Sequence, residues 1–145
     1  MTTLEIRGED PSEYLRIEVQ RWQYPNNQDF WDGNWLVTQI DARLGSFSGR
    51  VPAMIRATDL HSFYEQLSAL YAALEGDARL ETIEGWITLE LHGDGLGHIA
   101  IRGSLVDNPG IGNQLSFSFN SDQTFMVDLL ASLSEVVAAF PVRGK

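Results

Sequence analysis

Two histidines and an aspartate stand close enough together to suggest a metal site. His92 and His98 flank the turn Gly93-Asp94-Gly95-Leu96-Gly97, with Asp94 inside it. Imidazoles across a hairpin with a nearby carboxylate are donors that Zn²⁺ accepts, but a protein site needs at least a third firm ligand. None is at hand, so the expectation is two surface histidines and no bound metal. Gly95-Leu96-Gly97-His98-Ile99-Ala100 has the look of a dinucleotide fingerprint. A strand is expected after it, whereas the pyrophosphate needs a helix N-terminus. The pairs Glu81/Glu84 and Asp29/Asp32 offer carboxylates for general acid–base work. Twenty acidic residues in a chain of 145 make such pairs expected by chance, and no motif accompanies either. His61, in the first turn of a helix, reads as solvated. With no P-loop, no Gly-x-Ser-x-Gly elbow and no cysteine, the chain is expected to have no catalytic residue, no cofactor and no enzymatic activity.

Aromatic and acidic residues point instead to recognition. Tyr14 and Trp22 fall in register with Arg16, Glu18 and Gln20, and Trp86 with Thr88, Glu90 and His92. Trp and Tyr among polar groups are the residues that anchor protein interfaces. A covering loop or a bulge that reverses the register would remove them from the surface. Phe30-Trp31-Asp32 is a second candidate, an aromatic pair in an acidic loop. Acid gathers between Asp59 and Asp94, where Glu75, Asp77, Glu81, Glu84 and Glu90 lie and Arg79 is the only full positive charge. The candidate partner-binding residues are therefore Tyr14, Trp22, Phe30, Trp31, Asp32, Glu75, Asp77, Glu81, Glu84, Trp86 and Glu90.

These residues need a scaffold. Leu15, Ile17 and Val19 alternate with polar residues, the period of a half-buried strand. Turn signals at residues 25–29 and at Asp32-Gly33 precede a strand from Trp35 to Ala42. Gly45 separates it from Phe47 to Arg56, where Pro52 implies an edge or a bulge. Leu60, Phe63, Leu67, Leu70, Tyr71 and Leu74 then form one helical stripe from Thr58 to about Glu75, with Thr58 or Asp59 as cap and Gly76 as its left-handed stop. Three strands follow, around Ile87 to Leu91, Ile99 to Leu105 and Leu115 to Phe119. A second helix runs from Asp122 to about Phe140, capped by Ser121 or Asp122 and stopped by Pro141. Its stripe is Phe125, Leu129, Leu130, Leu133, Val136, Val137 and Phe140. The expected fold is a single α+β domain, residues 1–145, in the order ββββ-α-βββ-α. It would be one antiparallel sheet of six to seven strands with both helices on one face and the other face open.

Composition limits the partners. The formal charge of −10 argues against nucleic acid and anionic membranes and suits a basic protein. No stretch approaches the ~20 apolar residues of a membrane helix, and the N-terminus lacks an apolar signal core, so a cytoplasmic location is expected.

Several short segments, in order, resemble the WapI-type immunity proteins of bacterial polymorphic-toxin systems: Asn34-Trp35-Leu36, Phe47-Ser48-Gly49, Asp59-Leu60 with Phe63, Gly97-His98-Ile99, Leu115-Ser116-Phe117 and Asp122-Gln123-Thr124. The resemblance covers residue 34 to the end, with little from the first thirty residues. It implies a cytoplasmic antidote that binds and neutralises a toxin domain without catalysis; the acidic composition independently suits a basic, nuclease-like toxin. The competing readings are a structural or interaction module and, further off, a small ligand-binding protein or hydrolase with a pocket near Trp22 and Trp86.

Overall fold

Strict alternation of buried apolar and exposed polar side chains produces eight strands in the computed structural model, which describes residues 2–144. Met1 and Lys145, the ends of the expected domain, lie outside the described residues. The strands are β1 (Thr2–Arg7), β2 (Glu13–Trp22), β3 (Trp35–Leu44), β4 (Phe47–Arg56), β5 (Glu75–Glu81), β6 (Ile87–Asp94), β7 (His98–Val106) and β8 (Gln114–Asp122). Helix α1 (Ala57–Ala73) follows β4 and helix α2 (Gln123–Ala139) follows β8; a 3-10 turn spans Asp32–Asn34. The α+β class is as expected, but the single sheet is not. The strands form two antiparallel meanders of four, β1-β2-β3-β4 and β5-β6-β7-β8. The chain is thus two units of four strands and a helix in succession.

Each helix packs beyond its own unit. α1 lies along β5 of the second sheet, α2 along β1 of the first, and the helices touch each other. Two helices on one face of one sheet is therefore replaced by an exchange of helices between two sheets. The inward residues of all eight strands join Leu60, Phe63, Leu67 and Leu70 of α1 and Met126, Leu129, Leu133 and Val136 of α2 in one apolar cluster. Burial of this kind is the main stabilising term, at ~25 cal/mol per Å² of apolar surface.

Two strands have no place in the sequence reading: β1, which the expected order counts without locating, and β5, which it omits. Only Ala78 and Leu80 face inward in Glu75-Gly-Asp-Ala-Arg-Leu-Glu, and both are fully buried. Its other side chains are polar or glycine, which is how an edge strand is shielded from further pairing. β4, with Pro52, is also an edge strand, as expected. The C-terminal cap of α1 differs from expectation. Leu74 itself takes the left-handed conformation (φ 59°), donating its amide to the Leu70 carbonyl at 2.6 Å. Gly76 is instead the second residue of β5, opposite Gly93. At the start of α1 the cap position is Arg56, whose amide donates to the Asp59 carboxylate at 3.0 Å. Asp122 caps α2 by accepting the Thr124 amide at 2.8 Å.

Candidate docking surfaces

The solvent face of the second sheet carries the acidic stretch. Glu75, Asp77, Arg79 and Glu81 are exposed along β5, each paired with β6 in turn: Glu75 with Asp94, Asp77 with His92, Arg79 with Glu90, Glu81 with Thr88. The register also brings Arg102 of β7 beside Glu90. Glu90 consequently receives both Arg79 and Arg102, each at 2.8 Å, and the Arg102 contact holds its carboxyl below the usual range. Its charge is taken up by two guanidiniums, so it is not a free anionic contact. Among the described residues of β5, β6 and their turn, the acid without an ion pair lies at the β5 edge, on Glu75 and Glu81, and in the β5–β6 turn, on Glu84. Residues 57–145 hold twelve of the acidic side chains and four of the basic ones, so the imbalance belongs to this half of the chain.

The two histidines on this face do not share a ligand. His92 Nδ1 lies 2.7 Å from Asp77, and His98 Nδ1 lies 2.8 Å from Asp94. Among the described residues no group of three His, Asp or Glu side chains could hold a metal ion. Asp94 also accepts the amides of Leu96 and His98, at 2.7 and 3.2 Å, which fixes the turn and lowers its own pKa. The hydrogen bond to Asp94 raises the pKa of His98 above its ordinary value, about 6.5. The stabilisation carried by the protonated imidazole is complete below that ordinary value and is lost as pH rises through the folded-state pKa. In an NMR titration the His98 midpoint should therefore lie above 6.5, and Asp94→Asn should bring it back. An unshifted midpoint in the native chain would mean that the pair does not form in solution.

A different surface is built around the segment between β2 and β3. A bulge between Val19 and Arg21 resets the register, so that Trp22 pairs with Leu36 and turns inward. Trp22 packs edge-on against Phe140 with centroids 5.3 Å apart, under the guanidinium of Arg143 at 3.8 Å. It is a half-buried core residue, not the exposed one that period-two counting implies. Arg143 also donates to the carbonyls of Tyr24 and Asn27, at 3.2 and 2.9 Å. Asn34, fully buried, donates to the Phe30 and Arg143 carbonyls and accepts the Arg143 amide. Arg56, only 5% exposed, donates to the carbonyls of Phe30 and Trp31 at 2.6 and 3.2 Å. Its guanidinium stands 5.1, 5.4 and 5.9 Å from the rings of Phe30, Trp31 and Trp35. Gly33 has no room for a side chain, since a Cβ there would meet the Asn27 carbonyl oxygen at 2.6 Å.

The loop's backbone is thus bound to the body by two arginines and an asparagine, and the Trp31 ring packs against Phe30 and the Arg56 guanidinium. Trp31 is 66% exposed and Tyr24 48%, while Phe30 is half-buried and Asp32 exposed. Asp29 accepts the amides of Trp31 and Asp32, both at 3.2 Å, so it shapes the loop. Trp86 precedes β6 and lies outside its alternation. It packs half-buried on the core and donates its indole N–H to Glu84 at 3.2 Å. Tyr14 lies on the solvent face of the first sheet with the Arg16 guanidinium 5.1 Å from its ring, on a different sheet from the acidic strand. The eleven candidates therefore divide among the β5 edge and turn, Glu90 on β6, the loop, the first sheet and the core. Tyr24, Asn34, Trp35, Arg56 and Arg143 matter to the loop and were missed as site residues. Arg143 and Asn34 are 109 positions apart, and nothing in the spacing of either announces their contact.

Fold and surfaces together define a small α+β protein whose distinctive features are an acidic sheet edge and a rigid aromatic loop. The model of the immunity protein WapI-like family matches residues 5–141, and the chain belongs to that family. The match takes in the N-terminal strands, which contribute little to the resemblance read from the sequence. No curated protein matches the chain. No helix among the described residues is long and apolar enough to cross a membrane.

Proposed function

We propose that this chain is an immunity protein that binds a basic, nuclease-like toxin domain and neutralises it by contact, without catalysis of its own and in the cytoplasm. Membership of the WapI-like immunity family carries the reading. The exposed carboxylates of Glu75, Glu81 and Glu84 support the basic character of the partner, because an acidic edge accelerates encounter with a cationic surface. The ordered loop that presents Trp31 and Tyr24 suits slow dissociation, since a preorganised backbone loses little entropy on docking. Neutralisation follows either from covering the toxin's substrate groove or from distorting it from an adjacent site.

The test is co-expression. A toxin domain encoded beside this chain should cease to kill when the chain is present, and the two should co-purify. Undiminished killing with the chain soluble and folded would end the proposal.

A further inference from the structure

Beside the aromatic loop lies a groove of about 350 Å³ walled by Gln23, Tyr24, Trp35, Met54 and Glu84. It joins three elements: the end of β2 and its loop, the paired ends of β3 and β4, and the β5–β6 turn. The residues that line it are two aromatics, a methionine, a glutamine and a single acid. We propose that this groove takes an arginine side chain of the protein partner; this rests on the reading of the chain as a partner-binding immunity protein.

The chemistry selects that occupant. A guanidinium is attracted to the faces of Trp and Tyr and forms charge-assisted hydrogen bonds with a carboxylate. Its three-carbon stem can lie along Met54, keeping the charged end at the mouth. A purely apolar side chain would strip water from Glu84 without replacing it, and an anion would be repelled. Glu84 is held ready: its Oε1 accepts the Trp86 indole N–H at 3.2 Å, and Oε2 has no hydrogen-bond partner among the described residues. The backbone at Tyr24 is held as well, its carbonyl accepting Arg143 at 3.2 Å and the Asn27 amide at 3.1 Å, while the Gln23 amide donates to the Trp35 carbonyl at 2.9 Å. Arg56 approaches the Trp35 ring but does not line the groove, and its N–H groups already serve Phe30 and Trp31. The groove is thus a shaped receptor for a cation, with its charge supplied by one exposed turn residue.

The probe is N-butylguanidinium, titrated into the full chain and followed by NMR at the Met54 methyl and the Trp35 indole. Saturable shifts should appear at both, n-butanol should fail to compete, and Glu84→Gln should raise the dissociation constant about tenfold, the loss of one charge-assisted hydrogen bond. n-Butylammonium should bind more weakly, because it lacks the planar fork. Absence of saturable shifts at Met54 and Trp35, or equal affinity in Glu84→Gln, overturns the assignment. The titration uses no toxin. A native chain that binds the probe yet fails to protect cells loses the immunity reading and keeps the cation groove, whereas a chain that protects with a silent groove loses the groove alone.

Discussion

Arg56→Met should lower the free energy of unfolding by about 3 kcal/mol, the lower end of what removing one member of a buried charged network costs. Methionine retains the apolar stem and loses everything the guanidinium does. The Trp31 carbonyl loses its donor and that of Phe30 retains only Asn34, in a region where Arg56 itself is 5% exposed. The stacking of the guanidinium on the Phe30, Trp31 and Trp35 rings disappears with it. Asp59 is affected too: burial raises its pKa, and the Arg56 amide and charge draw it back down. Without the arginine the carboxyl should become harder to ionise in the folded state only. Part of the lost stability should then return as pH falls through its folded-state pKa, because the unfolded chain does not share that penalty. Urea denaturation at neutral and mildly acidic pH measures both effects. Arg56→Lys, which keeps the charge but not the planar donors, should lose less. A loss under about 1 kcal/mol for Arg56→Met would mean that the aromatic loop does not depend on this residue. Loosening should also appear as faster quenching of the exposed Trp31, distinguishing a detached loop from general destabilisation.

The elements that were readable from sequence are those whose periodicity is uninterrupted. The stripe Leu60-Phe63-Leu67-Leu70 is buried as its spacing requires, and α2 buries Leu129, Leu133 and Val136. Tyr71 of the expected α1 stripe is instead exposed, and Met126, which the α2 stripe omitted, is buried. β5 escaped because an edge strand with two inward residues has almost no periodic signal. Once that strand was missed, two meanders of four could not be told from one longer sheet, since pairing between strands is not written in local alternation. The Trp22 error has a different origin. One extra residue at the bulge inverts every side chain beyond it, and Gln20 carries no mark of it. The acidic stretch was legible as composition, but its distribution was not. Arg102 reaches Glu90 only through the β6–β7 register, so the ion-paired row Arg79-Glu90-Arg102 exists in the fold and not in the string. The same holds for the loop, whose order depends on Arg56 and on Arg143 at the far end of the chain.

Reversal of Glu75, Asp77 and Glu81 together to lysine should slow association with the toxin domain about ten- to a hundredfold at low ionic strength. All three lie exposed on one edge strand, so their replacement leaves the core untouched. The change breaks the Asp77–His92 pair, but that pair joins exposed groups and contributes little to stability. Each reversal adds two charges, taking the formal net charge from −10 to −4. Net charge alone would also slow encounter with a cation, so the decisive comparison is a triple reversal at Glu65, Asp128 and Glu135, exposed positions on the two helices. That variant has the same net charge with the β5 edge intact. If the edge steers the partner, the helix variant should associate nearly as fast as the native chain. Stopped-flow association at rising salt separates the causes further. With a screening length of about 10 Å at 0.1 M, the native and β5-reversed rates should converge as salt increases, while dissociation rates stay close. Equal slowing by the two triple variants would reduce the β5 edge to a share of the overall charge, and no slowing by either would leave the acid of this half of the chain as a solubilising surface.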